Sequence, residues 1–196
     1  MDAKELSKRI AKCRICADRF AATKTAHQPR PVIQIDSAAR ILIAGQAPGL
    51  RVHETGLPFN DRSGDRLREW MGIGRAEFYD PSKFAIVPNA FCFPGYDDNG
   101  SDLPPPSICA KTWDAEVQAA LPNIHLRILV GGYAQKHFLK TKLGVTETVA
   151  DWRRLAPDIV PLPHPSWRNT GWLRKHSWFE AETLPYLRQR IAEILP

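Results

Sequence analysis

Four cysteines and two unusual loops hold the residue types that can do chemistry. Cys13 and Cys16 form a C-x-x-C pair, while Cys92 and Cys109 lie far downstream with sixteen residues between them. A C-x-x-C turn places two sulfurs on one ion or cluster, and four thiols are the right number for one all-cysteine site. The second pair is split by a long Pro-rich loop, FCFPGYDDNGSDLPPPSIC. Zinc ribbons use two tight knuckles, so a wide second pair suits a larger object, and a [4Fe–4S] cluster is held by four thiolates. Zinc and four unrelated buried thiols stand as alternatives at this point.

The first loop reads Gly45-Gln46-Ala47-Pro48-Gly49 and runs on through GLPFNDRSGD at 56–65. It is neither a GxGxxG nor a Walker A pattern, which argues against a nucleotide cofactor. A loop stiffened by Pro48 suits presenting backbone N–H groups to the edge of a flat heterocycle. Phe59 is placed to stack on such a ring, and Asp61 is a carboxylate for positioning water. Ser63 and Gly64 precede a helix, where backbone amides take a phosphate. Ordinary roles compete: Phe59 as core, and Asp61 or Ser63 as a helix cap. The second loop reads PLPHPSWRNTGWLRKHSW. Its His164 is clamped between Pro163 and Pro165, and Ser166 can donate to a phosphate. From Ser166 to His176 it holds Arg168, Arg174 and Lys175 and no acid, with Trp167, Trp172 and Trp178 interleaved. Aromatics among cations suit nucleic acid; a loop anchored on the body by its tryptophans is the plainer alternative.

Alternating strands and helices must position these loops. Four short apolar runs, each bounded by turn residues, read as strands: Arg40 to Ala44, Phe84 to Pro88, Leu126 to Val130 and Asp158 to Leu162. Helices are expected over 2–12, near 64–72, 107–121, 133–140 and 144–154, and over 178–194, where apolar residues recur at helical spacing. Residues 17–38 read as irregular. Nearly continuous apolar strands between helices imply a parallel sheet covered on both faces. Such sheets bind ligands beyond the carboxyl ends of their strands, where the first and fourth strands run into the two loops.

The chain has 196 residues, 43% hydrophobic and 24% charged, which fits one globular domain over 1–196 and excludes wholesale disorder. No run approaches 18 apolar residues and the N-terminus lacks a hydrophobic stretch, so a cytoplasmic protein with no membrane contact is expected. Structural disulfides are not expected there. The net charge of +6 invites a polyanion. Residues 1–30 hold eight Lys/Arg against three acids, whereas 31–109 hold seven against ten. A uniformly basic groove is therefore not expected.

Taken in order, these motifs resemble the uracil-DNA glycosylase superfamily, especially its family-four and family-five branches. GQAPG at 45–49 is similar to the first superfamily motif, differing from the GEAPG form of family four at Gln46. The stretch at 56–65 looks like the one with the base-stacking aromatic, and its Asp-x-Ser-Gly-Asp ending is close to family five. HPS at 164–166 looks like the second motif, and the four cysteines match the iron–sulfur pattern of both branches. The resemblance implies a three-layer α/β sandwich around a four-stranded parallel sheet. It implies a monomeric, monofunctional hydrolase that flips uracil or another deaminated base out of DNA. It implies a structural [4Fe–4S] cluster on Cys13, Cys16, Cys92 and Cys109, with zinc as the other occupant.

Site roles follow from the same resemblance. The base stacks on Phe59, bonds near Gln46 and Ala47, and is read by Asn89; His164 stabilises the leaving anion. Ser63, Gly64, Ser166, Trp167, Arg168 and Asn169 face the DNA. Two departures matter. Family four has Glu where this chain has Gln46; an amide can position the water, which keeps Gln46 a catalytic candidate, but it cannot act as a general base. Ala47 stands where the best-known branch has its Asp, so Asp61, matching the family-five acid, is the replacement. Two other functions stay open: a weak or inactive DNA-binding or trapping protein on the same fold, and an unrelated zinc protein that binds nucleic acid.

Overall fold

A computed structural model describes residues 2–195 of the chain. Its four strands are β1 (Ile41–Gly45), β2 (Phe84–Pro88), β3 (Leu126–Val130) and β4 (Ile159–Leu162). They pair in parallel in the order β2-β1-β3-β4. Each expected apolar run is a strand. Side chains alternate between two cores, as strand geometry requires. Ile41, Ile43, Phe84 and Ile86 face one core, and Leu42, Ala85 and Val87 face the other. Both faces are dry, so the strands show no polar alternation.

Helices cover each face. Helix α4 (Arg62–Met71) brings Leu67, Trp70 and Met71 to the first core, where Leu187 and Ile191 of α11 (Leu184–Ile194) join them. On the other face, α1 (Ala3–Ala11) contributes Leu6 and Ile10, and α6 (Ser107–Ala119) contributes Trp113 and Val117. The architecture is thus the expected α/β sandwich of three layers. No helix among the described residues is long and apolar enough to cross a membrane.

Short helices depart from the expectation. The stretch 17–38 contains α2 (Ala17–Ala21), and α3 (Leu50–Thr55) and α5 (Arg75–Phe78) follow later. One or two turns are too few to print a 3.6-residue period. Helix α7 spans Gly131–Leu139, and the stretch near 144–154 divides into α8 (Val145–Ala150) and α9 (Trp152–Leu155). The second loop is itself helical: a 3-10 turn at Trp167–Asn169 leads into α10 (Thr170–Lys175). The last helix opens with a π-helical segment, Phe179–Thr183, which ends two residues before Pro185, a residue with no N–H to continue an α-helical ladder.

Candidate active site

From β1 the chain crosses to β2 on one side and later to β3 on the other, so a crevice opens where these directions diverge. A cleft of about 680 Å³ lies there, at the carboxyl ends of the strands. Gln46 and Ala47 line it from the end of β1, and Phe59, Asp61 and Ser63 from the turn before α4. His164 and the Ser166–Asn169 segment close it beyond β4. The two loops singled out in the sequence therefore share one cavity.

The turn at 58–65 is rigid for local reasons. Phe59 sits at φ +52, a left-handed conformation uncommon for a bulky residue. Its ring lies over Gly45, 3.5 Å from where a β-carbon would stand, and meets Phe78 edge-on at 6.2 Å between centroids. The Tyr79 hydroxyl donates to the Pro58 carbonyl at 2.9 Å. Buried Arg68 donates to Asp65 and, at 3.4 Å, to the Phe59 carbonyl, with its guanidinium over Phe78. Asp61 caps α4, its Oδ1 accepting from the Gly64 amide at 2.8 Å. The cap and the cleft-lining position belong to the same carboxylate.

His164 follows β4 with its backbone held by Asn169, whose Nδ2 donates to the His164 carbonyl at 2.7 Å. Arg66 ties α4 to this segment by donating to the Ser166 carbonyl at 3.1 Å. Ser166 caps the 3-10 turn by accepting from the Arg168 amide. Burial pushes the imidazole of His164 below its usual 6.5, and the nearby Asp61 charge opposes that shift. A neutral imidazole facing a cleft is a hydrogen-bond donor or acceptor, not a fixed cation.

A family model described as the uracil DNA glycosylase superfamily matches residues 32–188. The chain belongs to that superfamily. Membership supports a glycosylase-type hydrolase with DNA as its substrate, and the cleft holding Phe59, Asp61 and His164 lies within the matched region. Cys92 and Cys109 fall inside the match, and Cys13 and Cys16 precede it.

Other glycosylase site candidates are placed less simply. Asn89 does not line the cleft. Its Nδ2 donates to the Tyr133 carbonyl at 2.9 Å, and it lines a small crevice beside Asp114 and His137. Gly64 is also absent from the cleft wall: its amide is given to Asp61, and its α-carbon packs on the Phe59 carbonyl. Trp172 and Trp178 are body anchors, packed on the core and each other. Trp172 Nε1 donates to Thr146 Oγ1 at 2.8 Å. Trp167 alone of the three is fully presented, 71% exposed on the cleft rim.

The four thiols converge on one apolar cavity, shared with Phe20, Ile108 and Trp113. No group of three or more His, Cys, Asp or Glu side chains among the described residues is arranged to hold a single metal ion. Burial pushes the Cys92 thiol up to about 12 and Cys109 to about 11, with the neighbouring thiols adding to both. The Phe91 amide donates to Cys109 Sγ at 3.4 Å. Thiols so disfavoured as anions need a positive centre to ionise them.

The resemblance implies a DNA-facing loop between Cys92 and Cys109, but the sequence singles out no residue of it as part of the cleft's second wall. Tyr96, Ser101 and Asp102 reach it from the loop between Cys92 and Cys109, and Arg51 from α3. The only sequence signal was the acidic DDNGSD run in a Pro-rich loop, which is equally the signature of a plain turn.

Two half-buried histidines predict acid sensitivity of the fold. His53, held beside His27 and Phe93, is also pushed below 6.5, first by burial and then by His27 and Arg30, with Glu54 opposing. The unfolded chain takes up protons at His53 and His164 that the folded chain refuses. Their effect is nil well above pH 6.5, and stability falls as pH drops through and below it. The melting temperature should fall between about pH 7.5 and about pH 5.5, and His53→Gln should flatten the slope. An identical slope in the variant would remove His53 from this account.

Proposed function

We propose that this protein excises uracil or another deaminated base from DNA by hydrolysing the N-glycosidic bond, the first step of base-excision repair. The observation that carries the reading is the meeting of a stacking ring, a carboxylate and a neutral imidazole on one cleft: Phe59, Asp61 and His164. A base within a duplex is out of reach, so it must be flipped, at a cost of a few kcal/mol. Trp167, exposed on the rim with the Arg168 guanidinium 5.9 Å from its ring, is suited to filling the gap. Arg168, Ser166, Ser63 and Asn169 are suited to the backbone alongside. The flipped ring stacks on Phe59 and meets the chain at Gln46 and Ala47. Breaking the bond leaves negative charge on the base, which a His164 N–H stabilises as an oxyanion-hole donor does. Asp61 faces the positive sugar.

Cys13, Cys16, Cys92 and Cys109 would hold a [4Fe–4S] cluster, tying the N-terminal segment to the body and fixing the loop between the last two. Their convergence on one cavity without a disulfide supports this reading. When bound, the cluster supplies structural cross-linking and takes no part in bond cleavage.

The test incubates the protein as purified with uracil-, hypoxanthine- and xanthine-containing oligonucleotides and then with alkali. Strand cleavage at the uracil site is expected, with iron and sulfide in the sample and broad visible absorbance. No cleavage on any substrate would overturn the excision reading. Tight binding without cleavage would favour the trapping alternative, which the capping duty of Asp61 and the amide at Gln46 motivate. Zinc in place of iron would overturn the cluster.

A further inference from the structure

The cleft holds a second carboxyl that neither superfamily motif contains. Asp102 stands on a small hairpin within the Cys92–Cys109 loop. Tyr96 and Asp102 form an antiparallel bridge, and the Leu103 amide donates to the Gly95 carbonyl at 2.9 Å. Asp97 closes the tip, its Oδ1 accepting from the Asn99 and Ser101 amides at 2.9 Å. The hairpin's own hydrogen bonds therefore use Asp97 and leave Asp102 out. Among the described residues, no side chain donates to the Asp102 carboxyl and no cation pairs with it within salt-bridge distance, although it lines the cleft. A solvent-reachable carboxyl on the wall of a polar cleft, with no partner among the described residues, is free to meet substrate or water.

Its surroundings suit the sugar side of the cleft. Asp61, from the turn before α4, and Arg168, from the 3-10 turn, are the charges that act on Asp102. Tyr96 of the same hairpin feels Asp102 in turn, and His164 and Arg51 complete the charged and titratable lining. Burial pushes the Asp102 carboxyl up from its usual value, Asp61 adds to this, and Arg168 opposes it. Asp61 has one oxygen committed to the Gly64 amide, and Gln46 cannot accept a proton. Asp102, with neither oxygen taken by a hydrogen bond among the described residues, is the carboxylate of the two left free to accept a proton from water.

We propose that Asp102 is a catalytic residue, the general base for the attacking water, while Asp61 stabilises the positive sugar. This rests on the glycosylase reading above. The C1′–N bond breaks and its electron pair leaves with the base. The water oxygen forms the new bond to C1′, one water proton stays on the resulting hydroxyl, and the other passes to the Asp102 carboxylate. The base anion, held by His164, takes a proton from solvent, and Asp102 returns its own to solvent. No oxidant or co-reactant is required.

The experiment measures single-turnover release of uracil from an oligonucleotide, its pH profile, and binding of the same oligonucleotide, for wild type, Asp102→Asn and Asp98→Asn. Asp98 lies on the same hairpin, 93% exposed and paired with Lys24, so its variant controls for disturbance of the loop. Asp102→Asn should slow release about 100-fold with binding kept within about threefold, and Asp98→Asn should match wild type. The wild-type rate should fall on its acid side as Asp102 protonates, and this limb should move to lower pH in Asp102→Asn. Wild-type rate and an unmoved limb in Asp102→Asn would overturn the proposal while leaving the glycosylase reading intact. So would a loss confined to binding. Absence of release by wild type from any deaminated-base oligonucleotide would overturn both.

Discussion

His164→Ala is expected to slow single-turnover base release by about 10²–10³, or about 3–4 kcal/mol of transition-state stabilisation, the scale of losing one oxyanion-hole donor. The loss should fall on the chemical step, because the charge that His164 meets exists only once the glycosidic bond is breaking. Binding of a uracil oligonucleotide should change little, since phosphate contacts dominate affinity and Arg168 and the rim are untouched. The imidazole is held neutral by burial, so its contribution should stay level from about pH 7 upward. Single-turnover rates and fluorescence binding on the same oligonucleotide check both halves. An unimpaired rate in the variant would remove His164 from the mechanism.

Gly64→Ala should be the most damaging single methyl in the molecule. Alanine favours a helix over glycine by about 1 kcal/mol, so propensity alone forecasts stabilisation. Packing decides otherwise. A β-carbon at Gly64 would stand 1.7 Å from the Phe59 carbonyl oxygen and 2.6 Å from its carbon. Backbone must move, and the backbone that moves is the strained turn holding Phe59 and Asp61. A stability loss of about 1–3 kcal/mol is expected from overpacking. Base release should fall about 100-fold from misplacing the stacking ring by roughly an ångström. Gly74→Ala is the control, since nothing stands within 4 Å of its β-carbon position. Thermal melts and single-turnover rates on the two variants test this; equal behaviour would refute the steric account.

The pair of variants also shows what kind of information each level holds. That Gly64 opens a helix behind an Asp cap is local and legible in DRSGD, because capping depends on neighbours in sequence. That it cannot bear a methyl depends on where Phe59 turns back upon it. The sheet was equally legible. Strands β1 to β4 lie where four apolar runs predicted them, since burial on both faces leaves a continuous apolar signal. The short helices α2, α3, α5 and α10 were not legible, having too few turns to establish a period.

By itself the sequence determined the layered α/β class, the motif order that marks the superfamily, and the two loops that form the site. These rest on periodicity, turn chemistry and short-range spacing. Only the tertiary structure decided which side chains in those loops face the cleft. It turned Trp172 and Trp178 into anchors and left Trp167 on the rim. It drew Asn89 to the Tyr133 carbonyl and brought Asp102, from a remote hairpin, to the wall of the cleft that Asp61 also lines. The physical reason is range. A period or a cap is fixed by residues a few positions apart, whereas the wall of a crevice is fixed by packing between segments a hundred residues apart, as when Arg66 reaches the Ser166 carbonyl.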